Sequence, residues 1–182
     1  MRILHVTRDF PPRVNGGIST AVGALVDASR AAGVACAVLS FDAWRPRGRR
    51  RAARLPDDET TVRLVGPEDL TRARAFAEAF APDVVHLHHA MLLEPTRAMV
   101  AEAPRVFSVH VVQSALRRLR ALEEPTASER AQATAMREAA RVLVPSEATR
   151  RDVLAEAPAL AERVRVTPFP VGALGSGGGV GP

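Results

Sequence analysis

The residues able to do chemistry fall into a few small groups. Four of the five histidines, His86, His88, His89 and His110, close or follow two apolar runs in mid-chain. Imidazole can accept or donate a proton near neutrality and can bind metal, so such a grouping invites both readings. A strand alternates its side chains, which puts His86 and His88 on one face and turns His89 away. No carboxylate is spaced to complete a ligand set, and no metal is expected. His86 is read as a satisfied core residue. His110, at the mouth of a strand, is the better candidate for touching a substrate. A second group is Asn15-Gly16-Gly17, where paired glycines open a helix directly after a strand. Bare amides at a positive helix end could receive a phosphate, although a plain tight turn would need the same glycines. Arg8 and Arg13 share that loop. Ser146 is placed to cap a later helix.

Stepping along the chain, the elements that must hold these residues alternate. Ile3–Val6 is a short apolar run; Ile18, Val22, Leu25 and Val26 then recur at helical spacing, with Gly33 as the stop. Further apolar runs predict strands at Val34–Phe41, Thr61–Val65, Val84–His88, Arg105–His110, Val142–Val144 and Arg163–Thr167. Helices are predicted at Leu70–Ala81, about Leu93–Ala103, Thr126 to about Ala140 and Ser146 to about Ala157. Thr126-Ala-Ser-Glu129 spells a capping box. Short, continuously apolar strands separated by helices predict a parallel sheet covered on both faces. The expected fold is α/β: a Rossmann-like, doubly wound parallel sheet of about seven strands. In such sheets ligands bind at the C-terminal ends of the strands, where strand order reverses. All the groups above lie there.

Composition narrows the functional classes. The 182 residues are 47% hydrophobic and 25% charged, which suits one soluble globular domain. No apolar run approaches the roughly 18 residues of a membrane span. The first apolar stretch is too short for a signal peptide. The single cysteine, Cys36, excludes an internal disulfide and sits in a predicted buried strand. A cytoplasmic location is expected. All 25 basic residues are arginine and the net charge is +5. Six arginines fall between Arg45 and Arg54, read first as a solvated loop and second as an anionic surface that could touch the inner face of a membrane. Six Phe and one Trp give little capacity for stacking bases, so nucleic acid is not expected as a partner. From Gly172 to Pro182, glycine takes six of eleven positions, as in a linker or flexible tail. No Lys-Ser/Thr follows it, so it is not a phosphate loop.

Five segments together resemble the N-terminal domain of a family-4 glycosyltransferase. They are Ile3–Val6 through Pro11-Pro12 to Gly16-Gly17-Ile18, DVVHLHH at 83–89, FSVH at 107–110, VLVPSEATRRDVL at 142–154 and RVRVTPFPVG at 163–172. The resemblance covers nearly the whole chain to Gly172. It implies the first half of a GT-B architecture, with residues 1–172 as the acceptor-side domain and 173–182 as the tail. The C-terminal domain, which grips the nucleotide-sugar, would be a partner in cis or trans. Transfer in that family retains configuration and usually needs no metal; the nucleotide-sugar is a co-substrate and no other cofactor is implied. By position, Gly16 and Gly17 correspond to the glycine loop facing the donor phosphates, alongside Asn15. His110 corresponds to the strand-end histidine beside the transferred sugar, with His88 and His89 nearby. Ser146, Glu147 and Arg150 would line the side of a sugar or lipid-linked acceptor. The family's Pro-Asn-Gly-Val-Asp is replaced here by Pro168-Phe169-Pro170-Val171-Gly172. Glu94 and Glu102 stand in Glu-x7-Glu spacing but lack the glycine-rich loop of the donor motif, and are read as two solvent-facing acids of one early helix. A single such domain is expected to be silent or very slow alone. The alternatives are a non-catalytic sugar- or phosphate-binding module and an anionic-surface binder acting through Arg45–Arg54.

Overall fold

The computed structural model describes residues 1–14, 16–41, 58–64 and 69–168. Asn15, the Arg45–Arg54 cluster and the Gly172–Pro182 segment lie outside the described residues. Among them run β1 (Arg2–Thr7), α1 (Gly17–Ala31), β2 (Ala35–Ser40), β3 (Thr61–Arg63), α2 (Leu70–Phe80) and β4 (Val84–Leu87). Then follow α3 (Leu93–Met99), β5 (Arg105–Ser108), α4 (Gln113–Leu119), α5 (Ala127–Glu138), β6 (Arg141–Val144), α6 (Glu147–Glu156) and β7 (Val164–Val166). The seven strands form one parallel sheet in the order β3-β2-β1-β4-β5-β6-β7. The chain winds outward from β1 on one side and, from β4 onward, outward on the other. The reversal falls between β1 and β4. This is the doubly wound, Rossmann-like sheet expected from the alternation of apolar runs.

Both faces are covered, and strand alternation divides the core accordingly. Leu4, Val6, Leu39, Val85, Leu87, Phe107 and Val142 point to one face, under Ala73 and Ala77 of α2, Leu93 and Met99 of α3, Met136 of α5 and Val153 of α6. Cys36 and Val38 point to the other face, against Val22 and Val26 of α1 and Phe10. Cys36 is buried there, and burial raises its thiol pKa, consistent with a packing role.

Local rules fix most element ends. Thr126 Oγ1 accepts the amide of Glu129 at 3.1 Å, which starts α5 as the capping spelling predicts. The Glu129 carboxylate meanwhile receives Arg117 Nε at 2.8 Å and ties α5 to α4. Ser146 Oγ accepts the Thr149 amide at 3.2 Å and starts α6. Two expectations are corrected. The helix predicted to reach Ala103 ends at Met99, because Arg105 Nη2 takes the carbonyls of Val100 and Ala101, and Pro104 disfavours helix before it. Glu102 therefore does not share a helix with Glu94, which is exposed and paired with Arg97. The second correction is α4, Gln113–Leu119, a helix beyond those expected from the sequence. Its apolar residues Val112, Ala115, Leu116 and Leu119 do carry helical spacing.

The loop between β1 and α1 is held from two sides. Buried Arg63 donates to the carbonyls of Phe10 and Pro11, at 3.2 and 2.6 Å. Gly23, on the buried side of α1, leaves room for Pro11; a Cβ there would lie 2.9 Å from the Pro11 Cγ. Gly23→Ala improves helix propensity by about 1 kcal/mol. Overpacking against a ring fixed in the backbone costs about 1–3 kcal/mol. The variant should unfold at lower denaturant than the parent; a raised midpoint would mean the loop yields freely.

Candidate functional site

A cleft of about 250 Å³ opens at the C-terminal ends of β1, β4 and β5, beside the point where strand order reverses. Arg8 follows β1, His88 and His89 follow β4, and Ser108 and His110 end or follow β5; all five line it. Phe107, Leu92 and Leu116 supply the apolar wall. A larger groove of about 810 Å³ lies at the opposite end of the sheet, between Arg2, Asp83 and Pro104 at the starts of β1, β4 and β5. It is lined by alanines and by charged residues such as Arg74, Glu78 and Glu102, and has none of the histidines. The smaller cleft carries the chemistry.

The strand pairing explains how the histidines meet. In the β1–β4 ladder, His5 stands opposite His86. His88 and His110 continue the same alternation beyond the strand ends, and all point to the α1 side of the sheet. The ring centroids of His86 and His88 are 4.1 Å apart, and those of His88 and His110 are 5.6 Å apart. His5 Nδ1 lies 3.2 Å from His88 Nε2, and His88 Nδ1 lies 3.4 Å from His110 Nε2. His86 Nε2 meets Ser108 Oγ at 2.8 Å, so His86 is the satisfied core residue expected. His5 had no assigned role; only the long-range pairing brings it to the group.

These rings are held neutral. Burial lowers the His5 pKa to about 4, with help from the charge of Arg30. Burial and then Arg8 bring His89 to about 4. His110 reaches about 4 by burial and by repulsion from His89. His86 and His88, deeper still, are pushed well below the usual imidazole range. One nitrogen each of His5, His86 and His88 lies within 4.8 Å of the others, a spacing at which three imidazoles can hold a divalent metal. Among the described residues no carboxylate joins the group, and the charge of Arg30 acts on His5.

The remaining expected residues are placed as follows. Gly16 adopts φ 128°, a conformation suited to glycine, and precedes α1, whose first residue is Gly17. A Cβ at either glycine would meet nothing within 4 Å, so packing does not demand their bareness. Asn15 lies outside the described residues. Ser146, Glu147 and Arg150 sit at the same end of the sheet, at the start of α6, but do not line the cleft. There Ser146 caps the helix, and Glu147 and Arg150 pair with each other at 3.7 Å.

Gln132 is the residue that sequence reading missed most plainly. Buried on α5, it accepts the Gln113 amide with Oε1 and donates from Nε2 to the Val111 carbonyl, both at 2.8 Å. This clamp fixes the turn from β5 into α4 and with it the rim beside His110. A lone polar residue on an amphipathic helix gives no sequence signal of such a role.

Against this geometry, residues 15–171 match the family described as Glycosyltransferase Family 4. The chain belongs to glycosyltransferase family 4. Among solved structures, it resembles sucrose-phosphate synthase from Thermosynechococcus elongatus, at 12% identity and a TM-score of 0.63, over 92% of this chain and 48% of that one. It resembles the catalytic domain of starch synthase IV from Arabidopsis thaliana at 14% identity and a TM-score of 0.50, over 92% of this chain and 51% of that one. UDP-GlcNAc 2-epimerase from Methanocaldococcus jannaschii is also similar, with 10% identity, a TM-score of 0.57 and coverage of 91% and 45%. At such identities the likeness shows the fold, here that of the N-terminal domain of GT-B glycosyltransferases. The family-4 chain spans about half the length of these structures. No curated protein matches it by sequence.

The depressed histidine pKa values set a pH dependence. The unfolded chain takes up protons on these rings near pH 6.5, whereas the folded domain resists until about pH 4 for His5, His89 and His110. Their contribution to stability is therefore complete above pH 6.5 and is lost as pH falls towards 4. The slope approaches about 1.4 kcal/mol per pH unit for each ring fully withheld from protonation. Urea midpoints measured from pH 8 to pH 4 should hold steady and then drop below 6.5. A flat profile through that window would contradict the burial of the cluster.

Proposed function

We propose that this domain is the acceptor-binding half of a retaining glycosyltransferase, acting with a C-terminal donor-binding domain supplied in cis or in trans. The observation that carries the reading is the cleft at the strand ends, where neutral imidazoles and Arg8 converge beside the reversal of strand order. Sugar transfer needs donors for hydroxyl oxygens and fixed positive charge near a departing diphosphate, aimed before the reaction begins. His110 faces the transferred sugar. Gly16 and Gly17 open α1 with backbone that a phosphate can approach, since nothing stands above their Cα atoms. Arg8 adds a charge at the same rim. Ser146, Glu147 and Arg150 extend the surface on which a sugar or lipid-linked acceptor rests.

One domain offers only one wall of such a site. A nucleotide-sugar is activated towards water, and a second wall is needed to exclude it and to bind the leaving nucleotide. Calorimetric titration of the chain alone with UDP-, GDP- and ADP-sugars should show no tight binding. A family-4 donor domain, fused or added, should restore transfer. In that assembly His110→Ala should lower turnover by a factor on the order of 10² with the fold intact. Tight nucleotide-sugar binding by the lone domain would overturn the half-site reading.

A further inference from the structure

The contacts His5 Nδ1···His88 Nε2 at 3.2 Å and His88 Nδ1···His110 Nε2 at 3.4 Å form a continuous path of imidazole from the sheet interior to the cleft. Each is a nitrogen-to-nitrogen hydrogen bond, so each needs one N–H and one lone pair. A neutral His88 has one of each, which couples the two bonds: whatever role it takes towards His5, it takes the opposite towards His110. Only two proton arrangements are then possible. In one, the protons point outward: His5 Nδ1–H donates to His88, and His88 Nδ1–H donates to His110. In the other, they point inward, from His110 through His88 to His5.

The inner end of the path decides between them. His5 Nε2 is buried and has no hydrogen-bond partner among the described residues. The inward arrangement would put an N–H on that atom and strand a donor in the core. The outward arrangement leaves only a bare lone pair there. Orphaned buried N–H groups are the rarer and costlier defect. A doubly protonated His5 does not escape the problem, because it too would carry the stranded N–H.

We propose that His5 and His88 are positioning residues that lock His110 as the Nδ1–H tautomer, with its Nε2 lone pair taken by His88. His110 then carries its N–H on Nδ1 and does not serve as a base through Nε2, so a ligand oxygen that reaches Nδ1, as from a hydroxyl, phosphate or carboxylate group, meets a donor. That ligand consequence rests on the cleft being the sugar site; the tautomer assignment does not, and the two can fail separately.

Long-range proton–nitrogen correlation spectra of the full chain, labelled with 15N-histidine at pH 7, read the tautomers directly and need no activity. His5, His88 and His110 should each show a pyrrole-type, protonated Nδ1 and a pyridine-type Nε2. His110 found with its proton on Nε2 would overturn the proposal, as would nitrogen shifts typical of metal-bound imidazole on His5 or His88. His88→Phe removes the donor to His110 while keeping an aromatic ring. In that variant the His110 signals should move towards the Nε2–H pattern, with the His86 signals, held by Ser108, reporting an intact fold. Unchanged His110 shifts in a folded His88→Phe variant would also overturn it. The unsubstituted spectrum decides the matter even if the variant does not fold.

Discussion

The pairing of β1 with β4 is the constraint on which the rest of the molecule depends. It marks the reversal of strand order, so the loops after these two strands diverge and leave a cleft between them. Its register sets His5 opposite His86 and so aligns a column of imidazoles on the α1 side of the sheet. A slip of β1 by one residue would turn His5 into the opposite core, beside Val85, Leu87 and Phe107, and would drive Leu4 and Val6 out of it. Packing specifies the register, and the register assembles the site.

The cluster is stable because of what it withholds. Neutral histidines take the place of charge at a buried strand end, and four of them, His5, His86, His88 and His110, bond to one another or to Ser108. At the rim Arg8 supplies a fixed positive charge where a phosphate could reach it. The arrangement suits recognition of many weakly polar hydroxyls better than proton abstraction. The larger groove at the other end of the sheet is a poorer candidate: it holds none of the histidines, and Arg2 pairs there with Asp83 and Arg74 with Glu78.

Much of this was legible in the sequence, and the reasons are local. Continuous apolar runs such as Ala35–Ser40 and capping residues such as Thr126 and Ser146 act within a few positions, so strands, helix starts and the doubly wound sheet could be read directly. His88, His89 and His110 were singled out because strand ends are where such sheets bind ligands, and all three line one cleft. What escaped depended on distance along the chain. His5 joins His88 across 83 positions, and Gln132 reaches Val111 across 21. Glu94 and Glu102 were read onto one helix because the helix-ending role of Arg105 lies outside the periodic pattern. The start of α6 was read as acceptor surface, and its side chains also cap and pair locally.

The central claim is that the ligand site is the cleft where β1, β4 and β5 end. Backbone amide shifts of the labelled chain, followed during titration with a nucleotide-sugar and with simple glycosides at millimolar concentration, test it most directly. The account predicts that weak binding perturbs amides near Arg8, Gly16–Ile18, His88–Met91 and Ser108–Gln113, and leaves Arg2, Asp83 and Ala101–Ala103 unmoved. Perturbation confined to the opposite groove, or to surfaces away from the strand ends, would contradict it.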